Sequence, residues 1–253
     1  MSLNCWRLSG VLSVNLLVTS REVVGVTVIC VCPVIKLQEV PILSRADPTI
    51  QLLLCRTIAD KVAAAGYYVV VPDFFFGDPY NEEKSLSPWF ELHKPDKGFE
   101  DAKQVAAALK DKGISAIGAA GFCWGAKVVI DLAKSDDIQA AVLLHPSLVK
   151  VDDFKEVKPP VAILAAEIDH FCPPERIKQY EEILLSKPEV DKFVKIYPSV
   201  KHGWTVRYNV EDKKAVQRAE EAHRDMLDWL TKHVKYSEKG SGFSSVRGPR
   251  SSM

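Results

Sequence analysis

Residues 114–133 read ISAIGAAGFCWGAKVVIDLA. Ile114 to Ala120 is an apolar, strand-like run, and Ala126 to Ala133 has the composition of a buried helix. Between them stands Gly121-Phe122-Cys123-Trp124-Gly125, a cysteine flanked by glycines. Glycine tolerates backbone angles and crowding that other residues do not, so a sharp strand-to-helix turn is expected there. Such a turn pushes Cys123 out at the carboxyl edge of a sheet. This is the nucleophile elbow pattern, G-x-Nuc-x-G, with sulfur in place of the commoner hydroxyl. At a helix N-terminus the dipole favours thiolate, and the Trp124 amide can donate to a developing oxyanion. The plainer alternative is a buried cysteine packed at a glycine-rich strand end.

Outward from the elbow, strand and helix signals alternate. Thr57 to Ala65 reads as a helix stopped by Gly66, and Tyr67 to Val71 as a short β-rich strand. Gly98 to Leu109 follows as a helix. Further strands are expected at Ala140 to Leu144, Val161 to Ala165 and Phe193 to Tyr197, with helices at Pro174 to Leu185 and Glu211 to His233. Val23 to Ile35 is too short to span a bilayer and reads as another buried strand. Asp73 to Asp96, rich in proline, aromatic and charged residues without a clean period, is expected to be an irregular excursion at a strand's carboxyl end. The alternation predicts one α/β domain, a mostly parallel sheet with helices on both faces. Residues 1–56 form an atypical N-terminal segment contributing one or two strands, 57–235 the main domain, and 236–253 a Gly/Ser-rich disordered tail.

Composition narrows the function classes. The chain has 253 residues, 47% hydrophobic and 26% charged, enough for a sizeable single core. Lys plus Arg and Asp plus Glu both number 33, so there is no basic excess to attract nucleic acid. Six scattered cysteines (Cys5, Cys30, Cys32, Cys55, Cys123, Cys172) form no CxxC pair and fit a reducing, cytoplasmic setting. Leu8 to Val18 loosely imitates a signal peptide but lacks a small-residue cleavage site, so no secretion and no membrane partner is expected. Apart from Cys30-x-Cys32, inside an apolar run, no His or Cys pair recurs at ligand spacing, so no metal is expected.

A thiol nucleophile needs a base and a group to orient it. In this topology they follow in the order acid, then histidine, each after a later strand. Asp169 stands just beyond ILAA in AAEIDHFCPP, and His202 just beyond KIYPSV in KHGW. Glu167 competes with Asp169, although its neighbours place it on the strand end. Among the other histidines, His93 precedes the strand leading to Cys123, His145 and His170 adjoin strand ends, and His223 and His233 lie on the last helix. Trp204, Phe74, Phe75 and Phe76 are candidates for the pocket wall, with a core role equally open.

GFCWG, AAEID and KHGW together resemble the dienelactone hydrolase (carboxymethylenebutenolidase) family of the α/β-hydrolase fold. From Thr57 to about Lys235 the chain is similar to plant members in particular, through ADKVAAAGYYVVVPDFF and HGWTVRYNVED; some of those carry the name endo-1,3;1,4-β-D-glucanase. The resemblance implies a Cys123, His202, Asp169 triad that opens a lactone or ester through an acyl-thioester, without organic cofactor. It also implies that Arg207 pairs with a substrate carboxylate, against the plainer reading of a solvated surface cation. Chemistry favours an activated ester, because a thiolate is expelled before an alkoxide but not before an enol. The expected partner is a small lactone or ester, bound by a monomer.

One departure lies upstream of Thr57, where plant members carry a D-x-x-G turn that supplies a second oxyanion amide. Here the run is ADPTIQLLLCRT; Gln38-Glu39 is a candidate substitute, and the alternative is an N-terminus altered by variation or splicing. Two further readings therefore stand beside the hydrolase. One is a weak or non-catalytic binding protein on the same fold. The other is a β-glucan hydrolase, which would need two carboxylates across a sugar.

Overall fold

The computed structural model describes residues 57–76, 78, 80 and 84–235, together with the backbone of 26–31. Leu8 to Val18, Gln38-Glu39 and the tail lie outside the described residues, as do the side chains of Cys30 and Cys32.

Among the described residues six parallel strands form one sheet in the order β2-β1-β3-β4-β5-β6. They are β1 (Val26–Val31), β2 (Tyr68–Val70), β3 (Ala116–Phe122), β4 (Ala140–Leu144), β5 (Val161–Ile168) and β6 (Lys192–Lys201). Six helices accompany them: α1 (helical over 57–64), α2 (Leu86–Leu92), α3 (Pro95–Asp111), α4 (Trp124–Leu132), α5 (Pro174–Leu185) and α6 (Lys213–His233). β1 has β2 on one side and β3 on the other, so strand order reverses between β1 and β3. Ligands bind at such a switch point, beyond the carboxyl ends of the strands.

β3, β4 and the first six residues of β5 are buried throughout because both sheet faces are covered there, whereas the edge strand β6 carries Lys192, Lys195 and Lys201. Successive side chains alternate between two cores. Ile117, Ala119, Leu143, Ile163 and Ala165 pack with α3, α4 and α5, whereas Ala120, Phe122, Leu144, Leu164 and Ala166 pack with α1 and α6. Each fully buried aliphatic side chain contributes about 1.5–3 kcal/mol.

β1 falls within the expected Val23 to Ile35 strand and pairs with β3 from Val26↔Ala116 to Val31↔Gly121. A strand therefore runs beside the elbow strand, and residues 32–56 that follow it lie outside the described residues. The segment from Asp73 to Asp96 is more regular than expected, since it contains α2. Pro88 sits in the first turn of that helix, where its missing N–H breaks no hydrogen bond, and Trp89 anchors it at 4% exposure. α3 begins at Pro95, three residues before the expected start, because proline at the first helical position is likewise harmless. α6 starts at Lys213 because Asp212 caps it, accepting from the amides of Lys214 and Ala215.

Candidate active site

The turn between β3 and α4 is a single residue. β3 runs to Phe122, α4 begins at Trp124, and Cys123 bridges them with φ 52° and ψ −114°. For a non-glycine residue such angles cost on the order of 1–3 kcal/mol, and neighbouring contacts must hold them. The Cys123 amide donates to the Leu144 carbonyl at 3.1 Å, while its own carbonyl accepts from Ser147 and Ala126, both at 3.1 Å. Gly121 is obligatory. A Cβ there would stand 2.3 Å from the Gly125 carbonyl oxygen and 2.6 Å from its carbon. The absent side chain lets the start of α4 fold back onto β3.

Register brings the acid and the histidine together. Tyr197 pairs with Ala166, then the register shifts, so that Ile168 pairs with Lys201. Asp169 and His202 are the next residues on each chain. Asp169 Oδ2 lies 2.7 Å from His202 Nδ1, and the two side chains are 1% and 7% exposed. Asp169 Oδ1 accepts the amides of Phe171 (2.9 Å) and Cys172 (3.2 Å), which fixes the carboxylate. Glu167 has a different task. It belongs to β5, and its Oε2 accepts the Ser199 amide at 2.7 Å, inside the bulge where Ser199 has φ 61°.

Cys123 and His202 form an electrostatic pair. Burial pushes the Cys123 thiol up, but His202, Ser147 and Arg207 outweigh it and bring the thiol below its usual range. Burial pulls His202 down, while Asp169 and Cys123 raise it to about 9. Each ionised form therefore favours the other, and the thiol and the imidazole titrate as one coupled unit. His202 Nε2 is buried without an aligned hydrogen bond, so its contact with sulfur is looser than a formed proton-transfer bond.

Three neighbours were not singled out as site residues from sequence. Ser147 Oγ stands 3.4 Å from Cys123 Sγ, with the residue 5% exposed. His145, fully buried, lies with its ring 5.0 Å from that of His202, and its Nε2 is 2.8 Å from Thr205 Oγ1. Burial, then the charges of His202 and Arg207, push His145 well below the usual histidine range, so it stays neutral. Phe171 is the third, with its ring 4.9 Å from His202. All three follow β4 or β5 directly, and that position was the available signal.

Thr205 is in turn held from α6. Its carbonyl accepts from His223 Nε2 at 2.8 Å, and His223 Nδ1 accepts from Lys61 Nζ at 3.0 Å. Burial, then Lys61, lower His223 to about 4.

The remaining expected site residues lie as follows. Arg207 is partly buried, and its Nη2 donates to the His202 carbonyl at 3.4 Å. Gly203 (φ 86°) makes that approach possible, because a Cβ there would meet Arg207 Nε at 2.1 Å. Arg207 makes no ion pair with another described residue. Trp204 is 6% exposed, between Tyr197 (5.2 Å) and His145 (5.4 Å). Phe75 is 2% exposed and packs on Trp89 and Trp124, while Phe74 also contacts Trp124. Both sit in the core that carries the elbow helix. Phe76 is 47% exposed, beneath the Lys97 ammonium. Among the described residues no cluster of three or more His, Cys, Asp or Glu has the arrangement of a metal site, and no helix is long and apolar enough to cross a membrane.

Comparison with known proteins bears on the family and the fold. The profile of the dienelactone hydrolase family matches residues 52–234. A carboxymethylenebutenolidase homolog from Xenopus tropicalis is 33% identical over 194 residues, covering 73% of this chain and 78% of that protein. An endo-1,3;1,4-beta-D-glucanase from Zea mays is 45% identical over 137 residues, which span 54% of this chain and 45% of the maize protein. Among solved structures, the dienelactone hydrolase-like promiscuous phosphotriesterase P91 from metagenomic libraries superposes with a TM-score of 0.64 at 15% identity, covering 85% of this chain and 89% of that one. At that identity the likeness is one of fold.

Proposed function

Because the chain belongs to the dienelactone hydrolase family, we propose that it is a carboxylic ester hydrolase that opens an activated ester or enol lactone through Cys123, His202 and Asp169. The observation that carries this reading is the convergence of a strained elbow thiol with a buried His202–Asp169 pair 2.7 Å apart.

The Cys123 thiolate attacks the ester carbonyl, and the carbonyl electron pair moves onto oxygen. The Trp124 amide, a first-turn donor of α4 with no intrahelical acceptor, receives that oxyanion. On collapse the C–O bond breaks, and the proton on His202 Nε2 passes to the leaving oxygen, giving an acyl-thioester and a neutral imidazole. Water then attacks the thioester, giving its proton to His202, and the acid departs as thiolate and imidazolium re-form. Asp169 holds the ring in the tautomer this cycle needs and stabilises its positive charge. In this reading Arg207, whose charge helps to lower the Cys123 thiol, holds a carboxylate on the acyl portion.

A glycosidase would need two carboxylates facing one sugar. Asp169 is engaged with His202 and two amides, and Glu167 with Ser199. The hydrolase reading is therefore preferred. The test compares an enol lactone and p-nitrophenyl acetate as substrates for the wild type, Cys123→Ser and His202→Ala. Wild-type turnover that falls by about 100-fold or more in both variants supports the triad. Lactone binding with no turnover above the variants would instead point to a binding protein.

A further inference from the structure

The carboxylate that orients His202 also presents an aromatic ring beside it. Asp169 Oδ1 accepts the Phe171 amide at 2.9 Å, while Oδ2 holds His202 at 2.7 Å. One side chain thus fixes the backbone of Phe171 and the general acid together. The Phe171 ring lies 4.9 Å from the His202 ring, tilted by 57°. The His145 ring lies 5.0 Å from the same imidazole. The two neighbours differ in exposure: His145 is 1% exposed and Phe171 54%. His202 is therefore packed between two rings, the buried His145 and the half-exposed Phe171. The His170 ring, 4.2 Å from Phe171, backs the phenyl group and limits its collapse onto the surface.

We propose that Phe171 forms the wall of a leaving-group subsite whose preferred occupant is a flat, unsaturated or aromatic oxygen leaving group. This rests on the hydrolase reading of the same site. In the acylation step the C–O bond breaks, its electron pair stays on the leaving oxygen, and the His202 Nε2 proton moves to that oxygen. The leaving group must then lie beside the His202 ring, within reach of the Phe171 ring that packs on it. A planar enol or aryl group can stack on a fixed phenyl ring, whereas a tetrahedral alkoxide carbon cannot. The same oxygen acids are also the better leaving groups from a thiolate adduct, so shape and reactivity select one class.

The experiment uses the full chain with phenyl acetate and hexafluoroisopropyl acetate, whose leaving groups have similar acidity but of which only one is a flat ring. Both give the same acetyl-enzyme, so kcat/KM differs only through the leaving-group side. Phe171→Ala is expected to lower the ratio of kcat/KM for phenyl over fluoroalkyl acetate by about 3- to 10-fold, the range for one aromatic contact. Phe171→Tyr, which keeps the ring, is expected to restore that ratio. An unchanged iodoacetamide labelling rate at Cys123 in Phe171→Ala shows that the triad is intact, so the ratio change belongs to the subsite. A parallel fall on both esters, or no fall, overturns the subsite. If wild type hydrolyses neither ester faster than Cys123→Ser, the hydrolase reading itself fails and the subsite falls with it.

Discussion

Gly121→Ala and Gly118→Ala put the same methyl group on the same strand, three residues apart, and should have opposite outcomes. At Gly121 the new Cβ meets backbone: the Gly125 oxygen at 2.3 Å, its carbon at 2.6 Å and the Ala126 Cα at 2.8 Å. Ordinary contact begins at 3.4 Å, so the first turn of α4 must retreat by about 1.1 Å. That turn begins one residue after Cys123 and contains the Trp124 amide, so the Cys123 sulfur and that amide both leave their positions. A misplacement of about 1 Å costs about 100-fold in rate, and overpacking a filled core costs about 1–3 kcal/mol. At Gly118 the Cβ meets only the Leu230 Cδ2 and Val234 Cγ2 tips, each at 2.8 Å, and these can swing aside. The assay is kcat/KM on p-nitrophenyl acetate beside the iodoacetamide rate at Cys123 and the urea midpoint. Gly121→Ala should lose about 100-fold in kcat/KM and lower the midpoint, whereas Gly118→Ala should stay close to wild type in activity. Equal behaviour of the two variants would refute the claim that backbone proximity at Gly121 builds the elbow.

Ser147→Ala removes a hydroxyl 3.4 Å from the Cys123 sulfur and should raise the apparent thiol pKa, read from the pH profile of iodoacetamide alkylation; an unmoved profile means the hydroxyl does not hold the thiolate. Glu167→Ala frees the Ser199 amide in the bulge that sets His202, so kcat/KM should fall about 10-fold with little change in Tm, and Glu167→Gln, which keeps an acceptor oxygen, should recover most of it. His223, lowered from 6.5 to about 4, favours the neutral form in the fold. Its contribution is therefore complete above pH 6.5 and lost as pH falls toward 4, on the order of 3 kcal/mol in all. His223→Gln should flatten the fall in urea-derived stability between pH 6.5 and 4.5, and curves parallel to wild type would show that His223 is not held neutral.

The alternation of strand and helix was legible because both faces of the inner sheet are buried, which leaves β3, β4 and most of β5 as short apolar runs. The elbow was legible for a similar reason: glycine at 121 and 125 marks a place where backbones meet. α2 was missed since seven residues give less than two full turns of period, and Pro88 looks like a helix breaker until its first-turn position is known. Phe75 illustrates the limit for aromatic residues. Its sequence neighbourhood does not say whether it faces a pocket or Trp124, and only the packing of α2 and α4 around it puts it in the core at 2% exposure.

The sequence by itself determined the sheet type, the turn that carries Cys123 and the order of Asp169 and His202 after later strands, because these follow from local steric rules and residue spacing. Tertiary structure alone decided which groups touch the thiol and the imidazole. Ser147, His145 and Phe171 are brought there by strand register and by a bulge between β5 and β6. Register is a non-local property, since a shift of one residue turns every side chain to the other face of the sheet. Pairing Ile168 with Lys201 is what sets Asp169 against His202, although 33 positions separate them in the chain.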